Sequence, residues 1–126
     1  MANIPTELRY SKEHEWVKLE GTTATIGITD YAQGELGDIV FVELPAVGDD
    51  VSMMKPFGTI EAVKAVSDMF APLSGKIIEV NTALDDDPMI INRDPYGEGW
   101  MIKIDISDQG EIEQLLDADG YNQVIS

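Results

Sequence analysis

Alternation of apolar and polar residues with a period of two is the strongest organising signal in this chain. It commits most of the sequence to β structure. Residues 15–19 (Glu-Trp-Val-Lys-Leu) and 23–28 (Thr-Ala-Thr-Ile-Gly-Ile) alternate across a pleat, with Gly21-Thr22 as the turn between them. Residues 38–44 form a mostly apolar run, suited to a strand buried on one face and partly covered on the other, and Pro45 and Gly48 close it. Residues 57–63, 75–80 and 99–105 complete the expected strands. Between them lie Pro, Gly and Asp, with no helix-length amphipathic window.

Two helical candidates remain. Residues 30–36 read as a short helix with Asp30 as N-cap. Asp108-Gln-Gly-Glu111 has the spacing of a capping box; Ile112, Leu115 and Leu116 then supply one apolar face, and Gly120 ends the helix. An internal echo joins Pro45-Ala-Val-Gly48 to Pro72-Leu-Ser-Gly75, offset by 27 residues, each ahead of a strand-like segment. Such turns arise by chance, and they also suit a sandwich of two similar halves with Lys64 between them. With 126 residues the chain reads as one domain, 1–126, mainly β with a helical C-terminus.

Composition then removes whole classes of chemistry. There is no Cys and one His, so there is no thiolate metal site, cysteine nucleophile, disulfide framework or multi-histidine centre. The balance of 8 basic against 24 acidic residues gives a net charge of −16, which argues against nucleic acid or an anionic membrane as partner. The 44% hydrophobic content is that of a folded domain, so the acidity is not a mark of disorder. No stretch approaches the about 18 apolar residues of a spanning helix. The first ten residues lack the pattern of a targeting segment, so the expected compartment is the cytoplasm.

One residue stands out. An apolar strand runs into Val63-Lys64-Ala65-Val66 and out through Ser67-Asp68 towards the Pro72 turn. In a hairpin, Lys64 sits at the tip among small apolar neighbours that offer its ammonium no partner. Read alone, this is either a solvated turn lysine or an attachment point whose four-carbon stem lengthens whatever is joined to it.

The segment Glu61-Ala-Val-Lys64-Ala-Val-Ser-Asp68 resembles the lipoylation site of the glycine cleavage system H protein family. The likeness extends in order through His14-Glu-Trp-Val17, residues 24–30, residues 37–45, Glu79-Val-Asn81 and residues 95–103, covering about 8–120. It implies a β-barrel-sandwich hybrid, with two sheets each closing on the other and lipoate amide-linked to Lys64. It implies a carrier and not an enzyme. Glycine decarboxylase, a PLP enzyme, would load the aminomethyl group of glycine onto the lipoyl arm. Aminomethyltransferase would pass the carbon to tetrahydrofolate, and dihydrolipoamide dehydrogenase would reoxidise the dithiol. A lipoate ligase or a lipoyl or octanoyl transferase would attach the cofactor, and the carrier would act as a monomer.

The same resemblance points to Glu15 and Asp68 as contacts for the cationic arm, which gains from a cleft that limits water. Read without it, both are solvated carboxylates. Where relatives carry Ser, this chain has Glu13. Glu61 fits recognition by the lipoylating enzyme or simple solubility of the hairpin. His14 reads as a packing or hydrogen-bonding residue, Trp16 and Trp100 as core, and Asp85-Asp-Asp87 as a solvated turn. Three other readings stand beside the carrier of glycine cleavage. A lipoyl-relay protein would use the same residues to donate lipoate to other lipoyl domains. A biotin carboxyl carrier usually flanks its lysine with Met, where this chain has Val63 and Ala65. An interaction module would leave Lys64 unmodified.

Overall fold

A computed structural model describes residues 3–125. Nine antiparallel strands are present among them: β1 Arg9–Tyr10, β2 Glu15–Glu20, β3 Thr23–Ile28, β4 Ile39–Glu43, β5 Asp50–Val51, β6 Pro56–Ala62, β7 Val66–Phe70, β8 Gly75–Val80 and β9 Ile102–Ile106. They form a six-stranded sheet, β1-β2-β3-β9-β8-β5, and a three-stranded sheet, β4-β6-β7. The strand pattern implies a mainly β domain, and this is the sandwich hybrid that the family resemblance implies.

Each sheet turns its apolar side inward. Ile26, Ile77, Ile102 and Ile104 from the large sheet meet Ile39, Val42, Ile60 and Met69 from the small one in the main core. Burying such side chains contributes about 1.5–3 kcal/mol each before conformational entropy is subtracted. A second, aromatic cluster joins Leu8, Tyr10, Trp16 and Tyr121, with Tyr96 and Trp100 packed against it. Trp16 donates its indole N–H to the Pro95 carbonyl at 2.9 Å. Its ring lies over Gly27, where a Cβ would come within 2.8 Å of the indole. That strand position therefore requires glycine. Trp16 is core, whereas Trp100 is only partly buried, with the Lys103 ammonium 5.0 Å from its ring centre.

The two Pro-x-x-Gly turns feed strands that pair with each other, Asp50 opposite Lys76 and Val51 opposite Gly75. β1 and β5 are two residues long, too short for any alternation to reveal. The run at 38–44 is shorter and more exposed than its apolar content implies: a bulge between Ile39 and Phe41 leaves Val40 and Phe41 half-exposed. The expected strand at 99–105 begins only at Ile102, because Gly99 and Trp100 belong to a turn in which the Gly99 N–H donates to the Asp94 carbonyl.

The helical expectations need three corrections. Helix α1, Asp30–Leu36, is capped by Thr29, whose Oγ1 accepts the Ala32 N–H at 3.2 Å. Asp30 is its first residue. Asp85 and Asp86 lie in helix α2, Ala83–Asp86, and Asp87 pairs with Arg93 at the end of helix α3, Ile90–Arg93. The acidic run is therefore not a plain turn. At the C-terminus, Asp108 caps a 3-10 segment, Gln109–Gln114, by accepting from Gly110, while the Glu111 carboxylate leaves the segment to hold Ser74. Leu116 then pairs with Tyr10 through both backbone groups, which breaks the helix where its apolar face was expected to continue. Helix α4, Ala118–Ile125, starts afterwards and contains Gly120, so that glycine does not terminate it.

Candidate functional site

Lys64 stands at the tip of the β6–β7 hairpin. The Ala62 N–H donates to the Ala65 carbonyl at 2.9 Å, so Val63 and Lys64 make the reversal. The tip does not float. The end of α1 and the segment that joins it to β4 each accept from it once, the Leu36 carbonyl from the Lys64 N–H at 3.4 Å and the Asp38 carbonyl from the Val63 N–H at 3.0 Å. Gly37 shapes this support. Its φ of 80° and ψ of −158° lie in territory that side chains avoid, and a Cβ there would meet the Lys64 stem at 3.4 Å. The backbone of Lys64 is held while its side chain is exposed. That combination suits a residue that must present an amine at a fixed place.

Beside the tip lies a cleft of about 240 Å³ between α1, the β2 entry and β7. Ile28, Ala32, Leu36, Ile60 and Met69 give it an apolar lining, and Glu13, Glu35 and Asp68 bring charge to it. Among the described residues, no Lys or Arg lines it. An elongated apolar group with a cationic end fits such a cleft: its apolar length against the lining, its positive charge towards the carboxyl groups.

Glu15 is not a solvated carboxylate. It is 2% exposed and faces the same cleft. Ser11 Oγ donates to Oε1 at 2.5 Å, and the Phe70 N–H donates to Oε2 at 3.2 Å. Burial pushes its pKa up to about 8, against the lowering effect of those two hydrogen bonds. Near neutral pH this carboxyl therefore holds a proton. Asp68 lies on β7 opposite Thr59, exposed, and borders the cleft. Glu61 is elsewhere. It sits in a cross-strand row between half-exposed Phe41 and Val66, with Val63 and Val66 72% and 66% exposed near the tip. These positions thus divide: Glu15 and Asp68 line the cleft, Lys64 stands on the hairpin tip beside it, and Glu61 lies on the outer sheet row.

His14 lines the cleft with a φ of 72° and hydrogen-bonds through Nδ1 to the Tyr121 hydroxyl at 2.9 Å. Burial lowers its pKa, although Glu13 and Glu35 oppose the change. Tyr31, Glu35 and Leu36 from α1, together with Ser11, Phe70 and Tyr121, were not legible as site residues. The first three line the cleft and the last three bond to its Glu15 and His14, through long-range packing that leaves no local motif.

A family model described as glycine cleavage H-protein matches residues 8–126. The glycine cleavage system H protein of Halalkalibacterium halodurans is 57% identical over 126 residues, covering 100% of this chain and 98% of the relative. That of Staphylococcus haemolyticus is 56% identical over 122 residues, 97% of each chain. A crystal structure of a glycine cleavage system H protein from Mycobacterium marinum matches with a TM-score of 0.88 and 42% identity, over 95% of this chain and 97% of that one. Strand pattern, lysine hairpin and end-to-end matches converge, and this chain belongs to the glycine cleavage H-protein family.

Proposed function

We propose that Lys64 bears the lipoyl group and that the chain carries the aminomethyl group of glycine from the decarboxylase to the aminomethyltransferase, with dihydrolipoamide dehydrogenase restoring the oxidised state. As a member of this family the chain is a lipoyl carrier of glycine cleavage and not a catalyst. When attached, lipoate supplies a dithiolane that accepts the group and is reduced. The observation that carries the assignment to Lys64 is the pinned tip: an exposed amine on a backbone held by the Leu36 and Asp38 carbonyls, next to an apolar cleft with acidic groups.

The roles of the other residues follow from their chemistry. The apolar lining excludes water from whatever lies in the cleft, which protects a group that water would hydrolyse. Asp68 supplies negative charge at the cleft. An amine that enters neutral takes the Glu15 proton, and the carboxylate left behind accepts a charge-assisted hydrogen bond from the ammonium so formed. Glu61 serves recognition by the enzyme that attaches lipoate, a role supported by its exposure near the tip. Tethering raises the arm's effective concentration at each partner.

The test is Lys64→Arg, which keeps fold and charge but offers no acylatable amine. Glycine–bicarbonate exchange with the decarboxylase is expected to vanish, and intact mass is expected to show no lipoyl adduct. Retained exchange without free lipoate would place the arm on another residue.

A further inference from the structure

Behind the cleft runs a hydrogen-bond chain whose direction follows from counting donors and acceptors. Thr29 is buried, and its Oγ1 accepts the Ala32 N–H at 3.2 Å while lying 2.7 Å from the Tyr121 hydroxyl oxygen. That oxygen lies 2.9 Å from His14 Nδ1. Among the described residues the Thr29 hydroxyl proton has one acceptor, the Tyr121 oxygen. A buried hydroxyl proton takes the acceptor it has, so Thr29 donates to Tyr121. The Tyr121 proton is then directed at His14 Nδ1, which must be unprotonated to accept it. A neutral imidazole with a bare Nδ1 carries its proton on Nε2.

We propose that Tyr121 is a positioning residue for the cleft: its hydroxyl, oriented by Thr29, holds His14 as the neutral Nε2–H tautomer and so keeps a competing cation out of the pocket beside Lys64. The surroundings make such a device necessary. His14 faces Glu13 from its own segment and Glu35 and Tyr31 from α1. Glu15 and Asp68 line the same cleft, and Tyr121 comes from α4. The carboxylates favour an imidazolium; burial and a donor aimed at Nδ1 oppose it. A neutral ring leaves the acidic groups free for an incoming ammonium. The consequence for a cationic arm rests on the carrier reading, whereas the tautomer does not.

His14 is the sole histidine of the chain, so its ring can be followed without assignment. Long-range proton–nitrogen spectra of the labelled full chain, with Lys64 unmodified, are expected to show a pyrrole-like Nε2 and a pyridine-like Nδ1. Tyr121→Phe keeps the ring stacked on Tyr10 at 4.8 Å and removes the donor alone. It is expected to give mixed tautomers and a His14 titration shifted upward. Thr29→Ser retains the orienting hydroxyl and is expected to match the parent chain. In the aminomethyl-loaded carrier, Tyr121→Phe should shorten the half-life at pH 6 by a factor of about three or more and leave it unchanged at pH 8. A proton on Nδ1 in the parent chain overturns the proposal even if Tyr121→Phe fails to fold. An unchanged titration in the folded variant overturns it too. Equal half-life ratios at the two pH values overturn the exclusion of a second cation, and Lys64→Arg tests carriage separately.

Discussion

The backbone N–H of Phe70, on β7, donates to the buried carboxyl of Glu15 across 55 positions of sequence, at 3.2 Å. This bond ties the β7 strand that leaves the lysine hairpin to the start of β2. The same carboxyl is a titrating member of the cleft, so fold stability and site chemistry meet in one group.

That meeting has a pH signature. The Glu15 pKa is raised from 4.5 to about 8 in the folded chain. Below the lower value both folded and unfolded states are protonated, and the folded state keeps its full stability from this group. Between the two values the unfolded chain ionises while the folded chain holds its proton, so stability falls as pH rises and levels off above the folded value. Each unit of separation is worth about 1.4 kcal/mol, which makes the loss on the order of 5 kcal/mol. Glu15→Gln mimics the protonated form. Urea denaturation at pH 5 is expected to give similar stabilities for the two proteins, and at pH 8.5 the Gln variant should be the more stable. Parallel pH profiles would show that Glu15 is ionised in the folded chain.

Gly37 makes a second, local demand. Its backbone at φ 80° and ψ −158° strains any other residue by about 1–3 kcal/mol. The strain would fall on the segment whose carbonyls hold Val63 and Lys64. Gly37→Ala is expected to lower Tm by about 3–10 °C and to speed amide exchange at Val63 about tenfold. Lipoate attachment should persist, because the Lys64 side chain is exposed either way. Unchanged exchange at Val63 would show that the tip holds itself.

What was legible in the sequence follows the range of the interactions. Alternation in the sequence revealed β2, β3 and β8, each six residues long, although β3 is buried on both faces and only β8 begins with buried and exposed residues in turn. Lys64 was legible because a hairpin tip is a local feature and its flanking segment resembles a known motif. The cleft was not. Its lining comes from segments as far apart as Glu13 and Met69, and the burial that shifts Glu15 is visible only once β7 lies across it. The C-terminal helix was misplaced for the same reason. Leu116 fits a helical face locally, but its two hydrogen bonds to Tyr10 take precedence.

A third test concerns the brace between the C-terminal segment and the sandwich. Glu111 accepts from the Ser74 N–H at 2.7 Å and from Ser74 Oγ at 2.9 Å. Ser74 Oγ also accepts the Met53 N–H at 2.9 Å, so one carboxylate orders two connecting segments. Charge-assisted hydrogen bonds of this kind contribute about 1.5–3 kcal/mol each, and Glu111→Ala is expected to cost about 2 kcal/mol in urea denaturation. Glu111→Gln keeps one acceptor and should recover part of that loss. A cost below about 0.5 kcal/mol in Ala would mean that water replaces the carboxylate.

The chain's charge of −16 makes the last demand, because its acidic residues are not spread at random. Residues 19–54 contain no Lys or Arg, and exposed Glu35, Asp38, Glu43, Glu61 and Asp68 belong to the elements around the Lys64 tip. Such a field attracts positive charge towards the tip, and salt screens it over a Debye length of about 8 Å at physiological ionic strength. Steering acts on encounter and not on chemistry. In steady-state assays with the decarboxylase, raising salt from 50 to 500 mM is therefore expected to raise the KM for the lipoylated carrier about five- to tenfold, with kcat unchanged. Replacing Glu43 and Glu61 by Gln should raise the KM at low salt and flatten its salt dependence. A KM indifferent to salt in the parent chain would show that apolar contacts at Phe41, Val63 and Val66, and not the acidic surface, bring the partner to the lysine.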